Sequence, residues 1–290
     1  MLFFEKKSMK KSFFLLFSVL FLVSCQTKKT KNTDWQNDDL IGKVKSYRIT
    51  NYLAMYDLGE VVRGNEIGAL GRIVYNESGF RIEEFWSFNE EISHRVYNYN
   101  EDGNCIESIC YNQDKTVKDY GKFSYDKNGN IQEEVFYDSA DKLISKYVYT
   151  TDKNGNVTDQ LEFNQNEELE VSHSSKYNSS SLETEHITCF YENGNKMFTK
   201  QTFAYNSSGK ITESILFDDE RNILSQWVYS YNEQGSLVSE EVFDSDKKLT
   251  EKRTYTYEYD SIGNWTTRIS YNAITSDAQV ITVRKIEYFN

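Results

Sequence analysis

Tyr125-Asp126-Lys127-Asn128-Gly129-Asn130 is one copy of a phrase that returns about every 26 residues along this chain. Its aromatic stands at Tyr75, Tyr99, Tyr125, Tyr177, Tyr205, Tyr231 and Tyr259, and Thr151 holds the missing place. Asn76, Asn100, Asp126, Asp152, Asn178, Asn206, Asn232 and Asp260 follow directly. Four residues after each aromatic position come Gly79, Gly103, Gly129, Gly155, Gly209, Gly235 and Gly263, with Ser181 replacing glycine once. A fixed period of this size marks a repeat architecture.

Each unit holds a second turn signal. Tyr111-Asn112, Tyr137-Asp138, Phe163-Asn164, Phe217-Asp218 and Phe243-Asp244 each lead, six residues after the aromatic, to an aliphatic: Val117, Leu143, Leu169, Ile223 and Leu249. Between the two turns lie alternating segments rich in β-branched and aromatic residues, a strand pattern. Ile131, Val135 and Tyr137 share one parity, as do Leu143, Tyr147 and Tyr149. Charged residues such as Glu134 and Lys146 fill the other, which is expected to be the wet face. Asp or Asn opening a turn bonds its own backbone, and glycine accepts a positive φ. With no proline in the chain, glycine and Asn are expected to do all the turning.

The expected fold is all-β: an antiparallel meander of β-hairpin repeats, twisted into a spiral or a partly closed sheet. Two strands per interval plus the flanks give eighteen. Laid flat these would measure roughly 85 Å at about 4.8 Å spacing, whereas open sheets rarely pass about ten strands without curling. Rolling the aromatic rows inward is favoured, at about 1.5–3 kcal/mol per buried side chain.

The phrases at Tyr99, Tyr125 and Tyr259 resemble the YD repeats of the RHS family over roughly residues 73–265. The ending, Gly263 to Asn272 followed by Val283 to Phe289, looks like the close of Bacteroidetes lipoproteins of this type. The resemblance implies a spiralling sheet built from hairpins. Large RHS proteins enclose a C-terminal toxin and carry a self-cleaving aspartate motif. About 25 residues follow the last repeat here and no such motif is found, so a toxin-associated fragment is the poorer reading.

Residues 1–24 read as a lipoprotein signal peptide. Lys6, Lys7, Lys10 and Lys11 precede an apolar run from Phe13 to Val23, too short to span a bilayer. The run ends in Leu22-Val23-Ser24-Cys25, which resembles a lipobox and makes Cys25 the expected lipid attachment residue. Residues 25–39 are expected to be the lipidated cysteine and a flexible tether, and 40–290 the repeat domain. Removal of residues 1–24 takes four lysines and one glutamate, so net charge moves from −12 to −15. Such a surface disfavours nucleic acid as a partner.

Other constellations read blandly. The glycines at 59, 64, 68 and 71 lack the Gly-Lys-Ser/Thr ending of a phosphate cradle and are expected to form a flexible connection. Cys105, Cys110 and Cys189 show no paired spacing, against a disulfide framework or a zinc site. His173 and His186 fall in the most irregular unit, and His94 stands apart. Most aromatics are expected in the core, with Trp86 and Trp265 near turns as exceptions. Asp138-Ser139-Ala140 and Asp260-Ser261-Ile262 resemble a Bacteroidetes O-glycosylation signal in exposed turns. No catalytic residue, metal or cofactor is expected. The chain reads as a non-enzymatic, lipid-anchored envelope protein, on the periplasmic side of the outer membrane, acting as a scaffold or protein-binding surface. The alternative is a carbohydrate-binding lipoprotein with a glycan as partner.

Overall fold

The computed structural model describes residues 33–88, 91–192 and 194–290. After a single helical turn, α1 (Asp34–Asn37), these hold eighteen strands. The first six are β1 (Val44–Asp57), β2 (Glu60–Tyr75), β3 (Arg81–Phe88), β4 (Glu91–Tyr99), β5 (Cys105–Tyr111) and β6 (Val117–Tyr125). Then come β7 (Ile131–Asp138), β8 (Leu143–Thr151), β9 (Val157–Phe163), β10 (Leu169–Tyr177), β11 (Glu183–Glu192) and β12 (Asn195–Tyr205). The last six are β13 (Ile211–Phe217), β14 (Ile223–Tyr231), β15 (Leu237–Asp244), β16 (Leu249–Tyr259), β17 (Trp265–Asn272) and β18 (Asp277–Tyr288). Each pairs antiparallel with its sequence neighbours, as in Glu134 opposite Tyr147.

The meander closes completely, beyond the partial closure expected from sequence. β1 pairs with β18 from Val44 opposite Tyr288 to Leu53 opposite Val280, so the eighteen strands form one barrel. Closure removes both sheet edges, which otherwise recruit other chains.

Both turn types share one construction. In the phrase turns, Asp126 N–H donates to Asn130 O and Gly129 N–H to Asp126 O. Asp126 Oδ1 meanwhile accepts from the Asn128 and Asn130 amides at 2.8 and 2.9 Å. At the opposite end Asp138 does the same for Ala140 and Lys142. The residue needing positive φ differs between the ends. Phrase turns use glycine, and Ser181 once; the far turns use Lys115, Asp141, Glu167, Arg221 and Lys247. Glycine and Asn therefore do not do all the turning. Crowding adds to the positive φ at some phrase turns, though not at Gly129 or Gly209: a Cβ on Gly103 would stand 2.8 Å from the Phe80 ring. One on Gly235 would meet the Lys210 side chain at 2.9 Å. Far turns are open, and there a strained φ is the only penalty.

The tyrosine of the phrase has a separate task. Each hairpin that turns at the far end loses its ladder before the phrase-end rim: β5 and β6 last pair at Glu107 opposite Lys122. The Cys105 carbonyl beyond is met by the Tyr125 hydroxyl at 2.8 Å. Tyr99 likewise donates to Arg81 O at 2.6 Å, Tyr177 to Val157 O at 2.7 Å and Tyr231 to Ile211 O at 2.8 Å. An orphaned carbonyl in a half-buried rim is costly, and a phenol reaches it from the next turn. Near the last phrase it is Tyr257, two residues before Tyr259, that donates in this way, to Leu237 O at 2.7 Å.

Two sequence expectations are corrected. The glycine-rich stretch Gly59 to Gly71 is not a loop; from Glu60 it is strand β2. Its glycines admit close neighbours: a Cβ at Gly64 would stand 2.6 Å from the Met55 sulfur, and one at Gly71 2.5 Å from Trp86. The expected tether is also shortened, because Thr33–Asp39 are folded. Trp35 donates from Nε1 to Val44 O at 2.7 Å, and Asn264, 2% exposed, exchanges 2.8 Å hydrogen bonds with both backbone groups of Ile41. Lys210 reaches Asp39 at 3.3 Å, linking this segment to a turn a third of the way round the barrel. Residues 33–43 thus lie over the phrase-end mouth.

Gly103→Ala is expected to destabilise by roughly 1–2 kcal/mol, through positive φ and the Phe80 contact. Lys115→Gly should stay within about 0.5 kcal/mol of neutral, strain relief offsetting added unfolded-state freedom. Urea midpoints of the two variants check the contrast.

Candidate functional site

Register decides which side chains share the lumen. Phe123, Glu134, Tyr147 and Glu162 stand opposite one another across four strands, as do Lys122, Val135, Lys146 and Phe163 on the other face. The first set belongs with buried Ser108, Cys110 and Gly121 and points inward. Glu134, expected on the wet face, is therefore inside, while Val135 and Tyr137 are outside. The sequence reading placed both apolar rows on one face; the bulge beside each turn (Phe136 pairs with Ser145, Tyr137 with Leu143) sets them on opposite faces. The lumen is consequently a mixed wall of tyrosines, carboxylates, histidines and arginines, in a barrel too wide for opposite walls to interdigitate.

Three groups on this wall carry chemistry. Burial raises Glu134 from 4.5 to about 7, the Tyr149 hydrogen bond only partly opposing it. On β9 to β11, His173 Nε2 lies 2.8 Å from Glu162 and its Nδ1 3.1 Å from His186 Nε2. His186 Nδ1 in turn lies 2.9 Å from Glu183. The irregular unit thus brings His173 and His186 together, and His94 is elsewhere, stacked on Phe85 with centroids 4.1 Å apart. Among the described residues no group of three or more His, Cys, Asp or Glu is placed to hold a metal ion.

The third group lies at the seam. A cavity of about 410 Å³ is lined by Asn51, Arg253, Tyr255, Arg268, Ser270 and Thr282 among others. Trp265, singled out from sequence, supports Arg284 with 3.7 Å from guanidinium carbon to ring centroid. Trp86 covers Gly71. The arginines were not anticipated, since nothing in the repeat marks β16 to β18 as a place where basic residues face inward. Cys25 lies outside the described residues. No disulfide joins Cys105, Cys110 and Cys189, and Ser139 and Ser261 stand in exposed turns.

No family model matches the chain, and no curated protein matches it. Among solved structures, a porin-like protein from Bacteroides uniformis aligns at 10% identity and a TM-score of 0.42, over 84% of this chain and 96% of that one. The Tc holotoxin pore of Photorhabdus luminescens aligns at 13% identity and TM-score 0.41, over 81% of this chain but 14% of that one. A putative outer membrane lipoprotein-sorting protein domain from Vibrio parahaemolyticus gives 10% identity and TM-score 0.22, over 83% and 85%. With TM-scores below 0.5, these likenesses carry no argument about function.

Glu134 gives a pH dependence with a definite sign. Between pH 4.5 and about 7 the folded chain keeps a proton that the unfolded chain has released. Stability therefore falls as pH rises through that window, by about 1.4 kcal/mol per pH unit at most. Glu134→Gln should melt higher than wild type at pH 8, and the gap should close by pH 4; thermal unfolding at both pH values checks it.

Proposed function

We propose that this protein is a non-enzymatic, lipid-anchored barrel of the bacterial cell envelope that presents a protein-binding surface. The supporting observation is the barrel's polarity. Residue 33, to which the tether from Cys25 leads, sits at the phrase-end mouth, where Trp35 packs on Gly79. At the opposite end β1 and β2 outrun their neighbours: β18 pairs with β1 only as far as Leu53. The remaining hairpin exposes Met55, Tyr56 and Leu58, the last completely. Tyr56 is tied back to β18 by the Ala278 N–H, which donates to its hydroxyl at 2.9 Å, and the exposed apolar tip beyond is the kind of surface that partners cover.

The outer face argues for anchoring by lipid rather than insertion of the barrel. Outward-facing Glu133 pairs with Lys146, Glu185 with Lys176 and Lys200, and Glu241 with Lys252. A lipid-embedded wall needs an uninterrupted apolar belt, and charges at its mid-height are strongly disfavoured. Net charge of −12 for the whole chain disfavours nucleic acid. The carbohydrate-binding alternative draws on the inner-wall tyrosines. The toxin-associated reading has less behind it, because this chain's own residues 33–43 lie against turns at the lumen mouth.

Labelled palmitate should enter the wild-type chain and be lost in Cys25→Ala; equal labelling overturns the anchor. A photo-crosslinking residue at Leu58 should capture one protein in intact cells, and Met55→Ser on the same hairpin should abolish that adduct. Capture unchanged by Met55→Ser overturns the binding surface.

A further inference from the structure

The inner wall between β16 and β1 carries two closely placed arginines, Arg268 and Arg284. Arg268 on β17 stands opposite Thr282 on β18, and Arg284 occupies the next inward position along β18. No carboxylate among the described residues forms an ion pair with either, although Arg81, Arg95 and Arg253 all have one. In a chain with 45 acidic residues, this is not for want of carboxylates.

Arg284 is the more demanding case. It is 8% exposed, and its Nε and Nη1 bond nothing among the described residues. Its guanidinium lies between the rings of Trp265 and Tyr47, at 3.7 and 4.9 Å from their centroids. Ring faces stabilise a cation but leave its N–H groups unsatisfied. Arg268, held over Tyr255 and Trp265 at 5.6 Å, opposes the Arg284 charge, while Asp38 is near enough to favour it without forming an ion pair. Buried guanidinium donors ordinarily meet carboxylate or phosphate oxygens in a fork. Arg268 lines the cavity together with Tyr255, Asn51, Ser270 and Thr282, and Arg284 stands one inward position beyond Thr282, outside that lining.

We propose that this wall binds a small molecule carrying an oxyanion, a carboxylate or a phosphate, on a compact body of about monosaccharide size. Arg268 takes the anion from the cavity side and Arg284 from behind. Tyr255 offers a ring face to the body, and the hydroxyl and amide groups of Ser270, Thr282 and Asn51 face its polar edge. The cavity volume falls in the range of small-molecule sites. The proposal stands apart from the lipid anchor and the hairpin tip, and can fail without them.

Calorimetric titration of the purified protein at low salt, with glucuronate, inorganic phosphate and glucose, tests it. At least one of the two anions should bind with a dissociation constant of about 1 mM or tighter, weakening as salt rises, while glucose does not. Glucuronate alone marks the site for carboxylates, and phosphate alone for phosphates. Arg268→Gln should weaken binding at least tenfold, and Arg284→Met should abolish it while leaving the melting temperature equal or higher. If Arg284→Met does not fold, Arg268→Gln decides. Neither anion binding, glucose binding equally, or affinity unchanged in Arg268→Gln overturns the proposal.

Discussion

The barrel depends on how its phrase-end rim is held. At that end alternate strand pairs part before their last residues, and each parting leaves a carbonyl facing a gap. A tyrosine from the following turn fills the gap and donates to that carbonyl, as Tyr125 does to Cys105. One such bond contributes about 1 kcal/mol net, but it recurs round the ring and fixes the distance between successive turns. That distance brings Phe80 against Gly103 and Lys210 against Gly235. At those two turns tyrosine and glycine act together, the phenol bridging the gap and the missing side chain leaving room for the neighbour, whereas Gly129 and Gly209 serve through their positive φ alone.

The far rim has no such ring of contacts, and the chain treats it differently. Lysine, aspartate, glutamate and arginine take the left-handed position there, each at a modest cost in strain. The wide lumen follows from the same geometry. Eighteen strands enclose more space than side chains can fill, so the inner wall tolerates Glu134, the paired histidines and the seam arginines. Buried apolar residues concentrate instead where residues 33–43 meet β1 and β2, around Leu40, Val44, Tyr47, Ile73 and Tyr75.

Much of this was legible in the residues. The 26-residue phrase gave turn positions, strand number and antiparallel order, because turn chemistry is local and asparagine and glycine report it directly. Facing was not legible. Whether Glu134 or Val135 points inward depends on a bulge one residue long, and the alternation reads equally well either way. Closure was hidden too, since it rests on β1 meeting β18, strands outside the repeat whose partners lie more than 200 residues apart. The seam arginines were invisible for the same reason: Arg268 and Arg284 become neighbours only through register. The short helix and Trp35 escaped notice because four residues cannot display a helical period.

Closure by the first and last strands also sets the order of events in assembly. Until β18 arrives, every growing intermediate carries an open edge at each end of its sheet, and β1 waits through synthesis of the whole domain. The seam therefore carries the longest loop in the molecule, and its entropy must be met before the pairing returns anything. Yet Phe289 N–H finally donates to Lys43 O at 2.9 Å, leaving the start of β1 beside the end of β18. Covalently joined there and opened at a far turn, the same polypeptide would keep every ladder while changing which edge waits longest.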